Sequence, residues 1–382
     1  MSTSKNKIRL FFLMSLGVGL ERWEKNGTIE RELAVIRNLT ERGIQISVIT
    51  FDTQKSIKNN NFRKRFDNLE IISVKPFWIP QRLLKIWAII IPIILFLKIR
   101  KCNILYTNQS LPCFYSVLLS KLFRKKLIVR AGYVYGDRME ENANKVFVKK
   151  IPYILNKFKE KIVFRSATAC ILPTDYLANW VIEKYKIKKP IVVIPNSVNT
   201  MLFKKLVLLK KPNTIVSVGR LNPVKQYGLL VSKLANTNFE LHIYGDGPER
   251  HNLENFAAER NCKLFLHGNT TNELLVEKIN SAEFFILPSK LEGNPKALIE
   301  AMACGAICIG TNVKGISNII QDGINGFLCN SDIDNILDVI SKAKNSMRLD
   351  EISNAARNYA LSNFSLESAS EKIFNLINNV AS

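Results

Sequence analysis

Residues 284–310 read FFILPSKLEGNPKALIEAMACGAICIG, and their order decides the fold. Phe284–Leu287 is a short run of apolar residues, Pro288–Pro295 a polar loop, Lys296–Cys304 a helix-like segment, and Ile307–Gly310 a second apolar run. A strand with apolar residues at successive positions is buried on both faces, as in parallel sheets, and strand–helix–strand is the unit that builds such sheets.

The same alternation extends to both ends of the chain. Further strands are expected at Ile8–Ser15, Ile44–Phe51, Leu69–Val74, Ile104–Thr107, Leu127–Arg130, Ala169–Leu172 and Ile191–Ile194. Beyond these come Thr214–Val218, Phe239–Tyr244, Lys263–Leu266 and Gly326–Cys329. Helices are expected at Ile29–Arg42, Tyr176–Lys184, Asn252–Arg260, Glu273–Ile279 and Asp332–Lys344. Thirteen strands overfill one compact sheet, and 382 residues exceed the usual span of one core. The chain therefore reads as α/β, with two Rossmann-like, doubly wound parallel-sheet domains at 1–198 and 212–363. The seam lies in Asn199–Asn213, and a last helix at about 364–382 is expected to pack back on the first domain.

Charge is divided unequally. Residues 1–200 hold 36 Lys or Arg against 14 Asp or Glu, and residues 201–382 hold 19 against 18. A basic first half points to an anionic partner such as a phospholipid surface, a lipid diphosphate or nucleic acid. Its basic clusters are Arg63–Arg65, Arg124–Lys126 and the stretch Lys145–Arg165, where Lys alternates with aromatic and aliphatic residues. Ile86–Leu97 is continuously apolar but too short to span a bilayer. It reads first as a buried helix, and second as a helix resting in a membrane interface between cationic flanks; Pro92 should kink or split it. Seven scattered cysteines with no Cys-x-x-Cys pair suggest neither zinc nor a disulfide framework, and fit a reducing cytosol. The apolar N-terminal run reads as a first strand, not a signal peptide.

Ligands of open parallel sheets bind beyond the carboxyl ends of the strands. The loop after the first strand, Gly17-Val-Gly19-Leu-Glu-Arg22, lacks the third small residue of the dinucleotide fingerprint, which weakens a dehydrogenase reading. Two later loops carry more chemistry. In VSVGRLNPVK (216–225) a strand ends at Gly219, followed by Arg220 and then Lys225, two cations suited to a diphosphate. In the opening stretch, Glu292 and Glu300 flank Gly293, Asn294 and Pro295. Carboxylates accept paired hydrogen bonds from sugar hydroxyls, and a glycine lets the backbone approach a ligand.

These two motifs, with IYGDGPE (243–249), FLHGN (265–269), DGINGFL (322–328) and IPNSVNTMLF (194–203), resemble the retaining glycosyltransferase family 4 (glycosyl transferases group 1) of GT-B fold. The resemblance implies two domains facing a central cleft. Arg220 and Lys225 would then hold the donor diphosphate and stabilise it as a leaving group. Glu300 would grip the nucleotide ribose and Glu292 the transferred sugar, with Gly219, Gly293, Asn294 and Pro295 lining the donor and Gly268 near the base. Gly27, after LERWEK, is the candidate for donor phosphate contact across the cleft. No metal and no cofactor is implied, the nucleotide-diphosphate sugar being a substrate. The implied reaction moves a hexose-type sugar, a UDP-sugar being favoured as donor, to a saccharide acceptor. That acceptor is expected to be lipid-linked, in surface polysaccharide or glycolipid biosynthesis, with the enzyme peripheral on the inner face of the cytoplasmic membrane. All three histidines (242, 251, 267) lie in the second half, and VRAGYVYG offers Gly132 and Tyr133 where many relatives have His. A sugar-nucleotide epimerase or hydrolase of the same fold is the alternative. A basic nucleic-acid-binding protein has only charge in its favour.

Overall fold

The computed structural model describes residues 8–25, 29–80, 83–137 and 150–382. Gly27 lies outside them, as do Lys145–Lys149 of the basic stretch. The described residues form two compact units, 1–195 with 369–382, and 196–368.

The first unit is built on β1 (Arg9–Leu13), β2 (Gln45–Thr50), β3 (Glu70–Ser73), β4 (Ile104–Thr107), β5 (Lys126–Arg130), β6 (Ala169–Leu172) and β7 (Ile191–Val193). They pair in parallel in the order β3-β2-β1-β4-β5-β6-β7. Side chains alternate along each strand, so Leu10 and Phe12 enter the core on one face while Phe11 and Leu13 enter the other. Helix Ile29–Glu41 and the last helix, Leu366–Ala381, cover the first face, the latter through Ala369, Ile373, Leu376, Ile377 and Val380. Helices Ile91–Ile99, Tyr115–Leu122 and Asp175–Tyr185 cover the other.

The second unit holds β8 (Lys211–Val218), β9 (Glu240–Tyr244), β10 (Lys263–Gly268), β11 (Ala282–Leu287), β12 (Cys308–Thr311) and β13 (Phe327–Cys329). Their order is β10-β9-β8-β11-β12-β13, again parallel. Ile215, Phe284 and Ile286 face one core, and Val216, Phe285 and Leu287 the other. Local signals set the helix starts: Thr174 accepts from Leu177 N and Thr271 from Leu274 N, each as an N-cap.

Ile86–Leu97 departs from the buried helix first expected. It is split into helices Leu84–Trp87 and Ile91–Ile99, with Pro92 in the first turn of the second, where its missing N–H costs nothing. Ile91, Leu95 and Ile99 enter the core, whereas Ile86, Ile89, Ile93 and Leu97 are exposed. A run without periodicity carries apolar residues on both sides of a helix, and the sheet can cover only one.

Candidate active site

In the second sheet the strand order reverses between β8 and β11, the place where open sheets bind ligands. The loops leaving these two strands are the ones that carry Gly219–Lys225 and Pro288–Pro295.

Beyond β8 the backbone of three strands converges through glycine. Gly219 N donates to Tyr244 O, and Gly245 N donates to Gly268 O at 2.7 Å. Gly245 sits at φ +138°, and a Cβ there would lie 2.1 Å from Gly219 O, so no side chain fits between these strand ends. Gly268 itself adopts φ +70°.

Lys225 ends the short helix Pro223–Lys225, and its stem lies against Gly219: a Cβ on Gly219 would be 3.0 Å from Lys225 Cε and 2.8 Å from the Tyr227 hydroxyl. The ammonium reaches Glu292 Oε1 at 2.5 Å, across 67 residues of sequence, with 18% and 13% of the two side chains exposed. Lys290 N donates to Val224 O and ties the two loops together a second time. Glu292 is held in turn by Gly315, where a Cβ would meet its carbonyl oxygen at 2.0 Å. Tyr227 is fully buried beneath this group, and burial pushes its phenol well above the usual range. Arg220, next to Gly219, is exposed and makes no hydrogen bond or ion pair among the described residues.

Glu300 stands on helix Lys296–Ala303, only 7% exposed, and pairs with Lys296 Nζ at 3.0 Å. Pro295 caps that helix by accepting from Leu298 N and Ile299 N. Asn294 O accepts from Asn196 Nδ2, while Asn294 Oδ1 and the hydroxyl of neighbouring Ser289 are buried without a partner. Around Gly293 a Cβ would meet nothing within 4 Å, so folding does not demand glycine there and a ligand has room. Gly219, Lys225 and Glu292 thus touch directly, with Arg220 adjoining them. Glu300 forms a separate pair with Lys296.

Several site features escaped sequence reasoning. Lys296 and Lys225 both neutralise a glutamate; the first pair follows i,i+4 helical spacing, but nothing in the sequence announces the second, 67 residues apart. In the first unit, Asp52 accepts from Leu20 N at 2.6 Å and Thr50 Oγ1 at 2.6 Å, which pins the loop after β1; a Cβ on Gly19 would lie 2.1 Å from that carboxylate. Glu160, wholly buried, accepts from Ser110 Oγ, Tyr135 N, Gly136 N and Tyr185 Oη at 2.6 to 3.0 Å. It fixes the loop after β5 that contains Gly132 and Tyr133. No cluster of three or more His, Cys, Asp or Glu among the described residues could hold a metal ion. All seven cysteines are free thiols.

The glycosyl transferases group 1 model matches residues 198–360, and the glycosyltransferase family 4 model matches residues 33–202. An uncharacterised glycosyltransferase of Methanocaldococcus jannaschii is 29% identical over 180 residues, which span 45% of this chain and 49% of that protein. The chain thus aligns with about half the length of that relative. The Escherichia coli UDP-Gal:alpha-D-GlcNAc-diphosphoundecaprenol alpha-1,3-galactosyltransferase is 27% identical over 332 residues, spanning 80% of this chain and 84% of that one. Among solved structures, Anabaena HepE in complex with UDP superposes with a TM-score of 0.73 over 97% of this chain and all of its own, at 14% identity, which speaks to the fold alone. The two parallel sheets are those of the GT-B class, and the chain belongs to the glycosyl transferases of group 1 and family 4.

Proposed function

We propose that this protein is a retaining glycosyltransferase that moves a hexose-type unit from a UDP-sugar to a lipid-linked saccharide in polysaccharide or glycolipid assembly. The observation that carries the reading is the Lys225–Glu292 pair folded over Gly219 with the unpartnered guanidinium of Arg220 beside it. A departing diphosphate gathers negative charge, and two fixed cations stabilise that charge more in the transition state than in the ground state. Arg220 and Lys225 do what a divalent ion does elsewhere, so the reaction runs without a metal. Glu292, released from Lys225 as the phosphate takes over that ammonium, accepts from hydroxyls of the sugar. Glu300 accepts from the ribose. Gly268 borders the base, and the unpartnered Asn294 Oδ1 and the open space at Gly293 receive the sugar.

The E. coli relative's name specifies a UDP-sugar, a diphosphoundecaprenol-linked acceptor and an alpha product, and the HepE complex contains UDP. These support the choice of donor, acceptor and stereochemistry, and an acceptor embedded in lipid calls for an enzyme at the inner face of the membrane.

Thermal unfolding with UDP, GDP and their sugars tests the donor, since a ligand bound only by the native state raises its midpoint. UDP should stabilise the protein, and Glu300→Gln should weaken that effect. Arg220→Ala should lower turnover by about a hundredfold or more. Unchanged turnover in that variant overturns the diphosphate assignment, and loss of turnover in EDTA overturns metal independence.

A further inference from the structure

Three neighbouring helices of the first unit carry large apolar side chains that nothing among the described residues covers. Phe77 is 87% exposed, and Trp78 beside it packs edge-on against Trp87, whose Nε1 donates to Val74 O. On helix Ile91–Ile99, Ile93 and Leu97 are 74% and 75% exposed while Ile91, Leu95 and Ile99 hold the opposite side in the core. This helix packs on Tyr115–Leu122, which adds exposed Leu122, and Phe96 meets Phe123 with ring centroids 5.9 Å apart. Tyr115–Leu122 in turn packs on helix Lys150–Ser166, which exposes Phe158. A helix apolar on both sides is ordinarily buried, and a bare apolar tract across three elements marks an interaction surface.

The charge around the tract selects what covers it. Between Glu70 and Asp137 the sequence has eleven Lys or Arg and no acidic residue. Glu70 is itself paired with Lys98 at 2.7 Å. Lys101, Lys121 and Arg124 are exposed at the ends of these helices, and Arg100 stacks over Phe96. A second copy of the chain would bring cation against cation. An anionic bilayer answers both properties: its acyl boundary takes the apolar side chains and its headgroups take the cations. No described helix is long and apolar enough to cross a membrane, so the tract lies on the surface.

We infer that the face formed by residues 77–78, 86–97, 118–122 and 154–158 is a docking surface that inserts its apolar side chains into an anionic lipid bilayer. The inference rests on the proposed lipid-linked acceptor only for its purpose, because binding can be measured without any sugar.

The test mixes the full chain with phosphatidylcholine vesicles, with and without phosphatidylglycerol, at low and high salt. Binding should require phosphatidylglycerol, weaken with salt, and shift tryptophan emission to the blue; Trp78→Phe should remove most of that shift. Ile93→Asp with Leu97→Asp should lower the partition coefficient at least about tenfold, with the unfolding midpoint and its response to UDP retained. Should that variant fold poorly, Leu122→Asp with Phe158→Asp, on the neighbouring helices, should have the same effect. Equal binding by these variants and the unaltered chain, or indifference to phosphatidylglycerol, overturns the inference. So does a dimer of the unaltered chain that the Asp variants convert to monomers, which assigns the face to a second copy. A missing response to UDP with vesicle binding intact counts against the transferase reading and leaves the docking surface standing.

Discussion

Glu160 illustrates how single side chains hold the loops that carry function. Its carboxylate sits out of water and accepts from two backbone N–H groups, a serine and a tyrosine, so four donors depend on it. Removing a charged acceptor strands those donors, and a hydrogen bond to an ionised group contributes about 1.5–3 kcal/mol. Glu160→Ala should therefore lower stability by roughly 3 kcal/mol or more, read as a drop in the urea midpoint. Its effect on the thermal stabilisation of the second unit by UDP should be small by comparison. The sequence shows Glu160 only as one acid in a Lys-rich helix, because its partners are 24 to 50 residues away. The Lys225–Glu292 contact was hidden for the same reason, since 67 residues separate the two, whereas the strand that ends before Gly219 and Arg220 and the helix that carries Glu300 were legible as backbone.

At the scale of elements, β9 and β10 present an aromatic ladder. His242 stacks between Phe265 and His267, with centroids at 4.6 and 5.2 Å, and Tyr244 stacks on His267 at 4.4 Å. The two imidazoles share a hydrogen bond of 3.0 Å, which only one proton can occupy. Burial holds both rings below the usual histidine range, despite Glu240 near His242, and the charge of one ring opposes that of the other. Unfolded histidines titrate near 6.5, so below that pH the unfolded chain binds more protons than the folded one. Stability from this ladder is complete above about pH 6.5 and is lost as pH falls through the lower folded values. Urea midpoints at pH 7.5 and 5.5 should differ, and His267→Gln should narrow the difference. Glu21 and Glu70, whose pKa values are lowered by Lys25 with Ser56 and by Lys98 with Ser47, act only at more acid pH. The thirteen strands among the described residues were legible because most are apolar runs too short for a helix and bounded by turn residues, as at Ile104–Thr107. Helices Tyr115–Leu122 and Leu349–Phe364 were not read. The first is apolar on nearly every side, and the polar residues of the second blur its buried stripe of Ile352, Ala356 and Ala360.

For the whole molecule, the doubly wound class and the presence of two units followed from alternation alone, and the uneven charge pointed to an anionic partner for the first half. What sequence could not provide was the direction each apolar side chain takes in Ile86–Leu97. The path of the chain end matters as well. Ala369, Ile373, Leu376, Ile377 and Val380 belong to the same core as Leu10, Phe12 and Ile104. Deleting residues 369–382 uncovers the part of that core that helix Ile29–Glu41 does not reach, at roughly 1.5–3 kcal/mol for each large side chain lost. The truncated protein should show two separate melting transitions, with the second unit, and its response to UDP, the more persistent. Retention of a single unshifted transition would contradict this packing. During synthesis the same arrangement inverts the order of completion. The half that leaves the ribosome first waits, with part of one side of its sheet uncovered, until residues 369–380 emerge, so a product stalled or clipped before them is one that chaperones and proteases can recognise by its open first half.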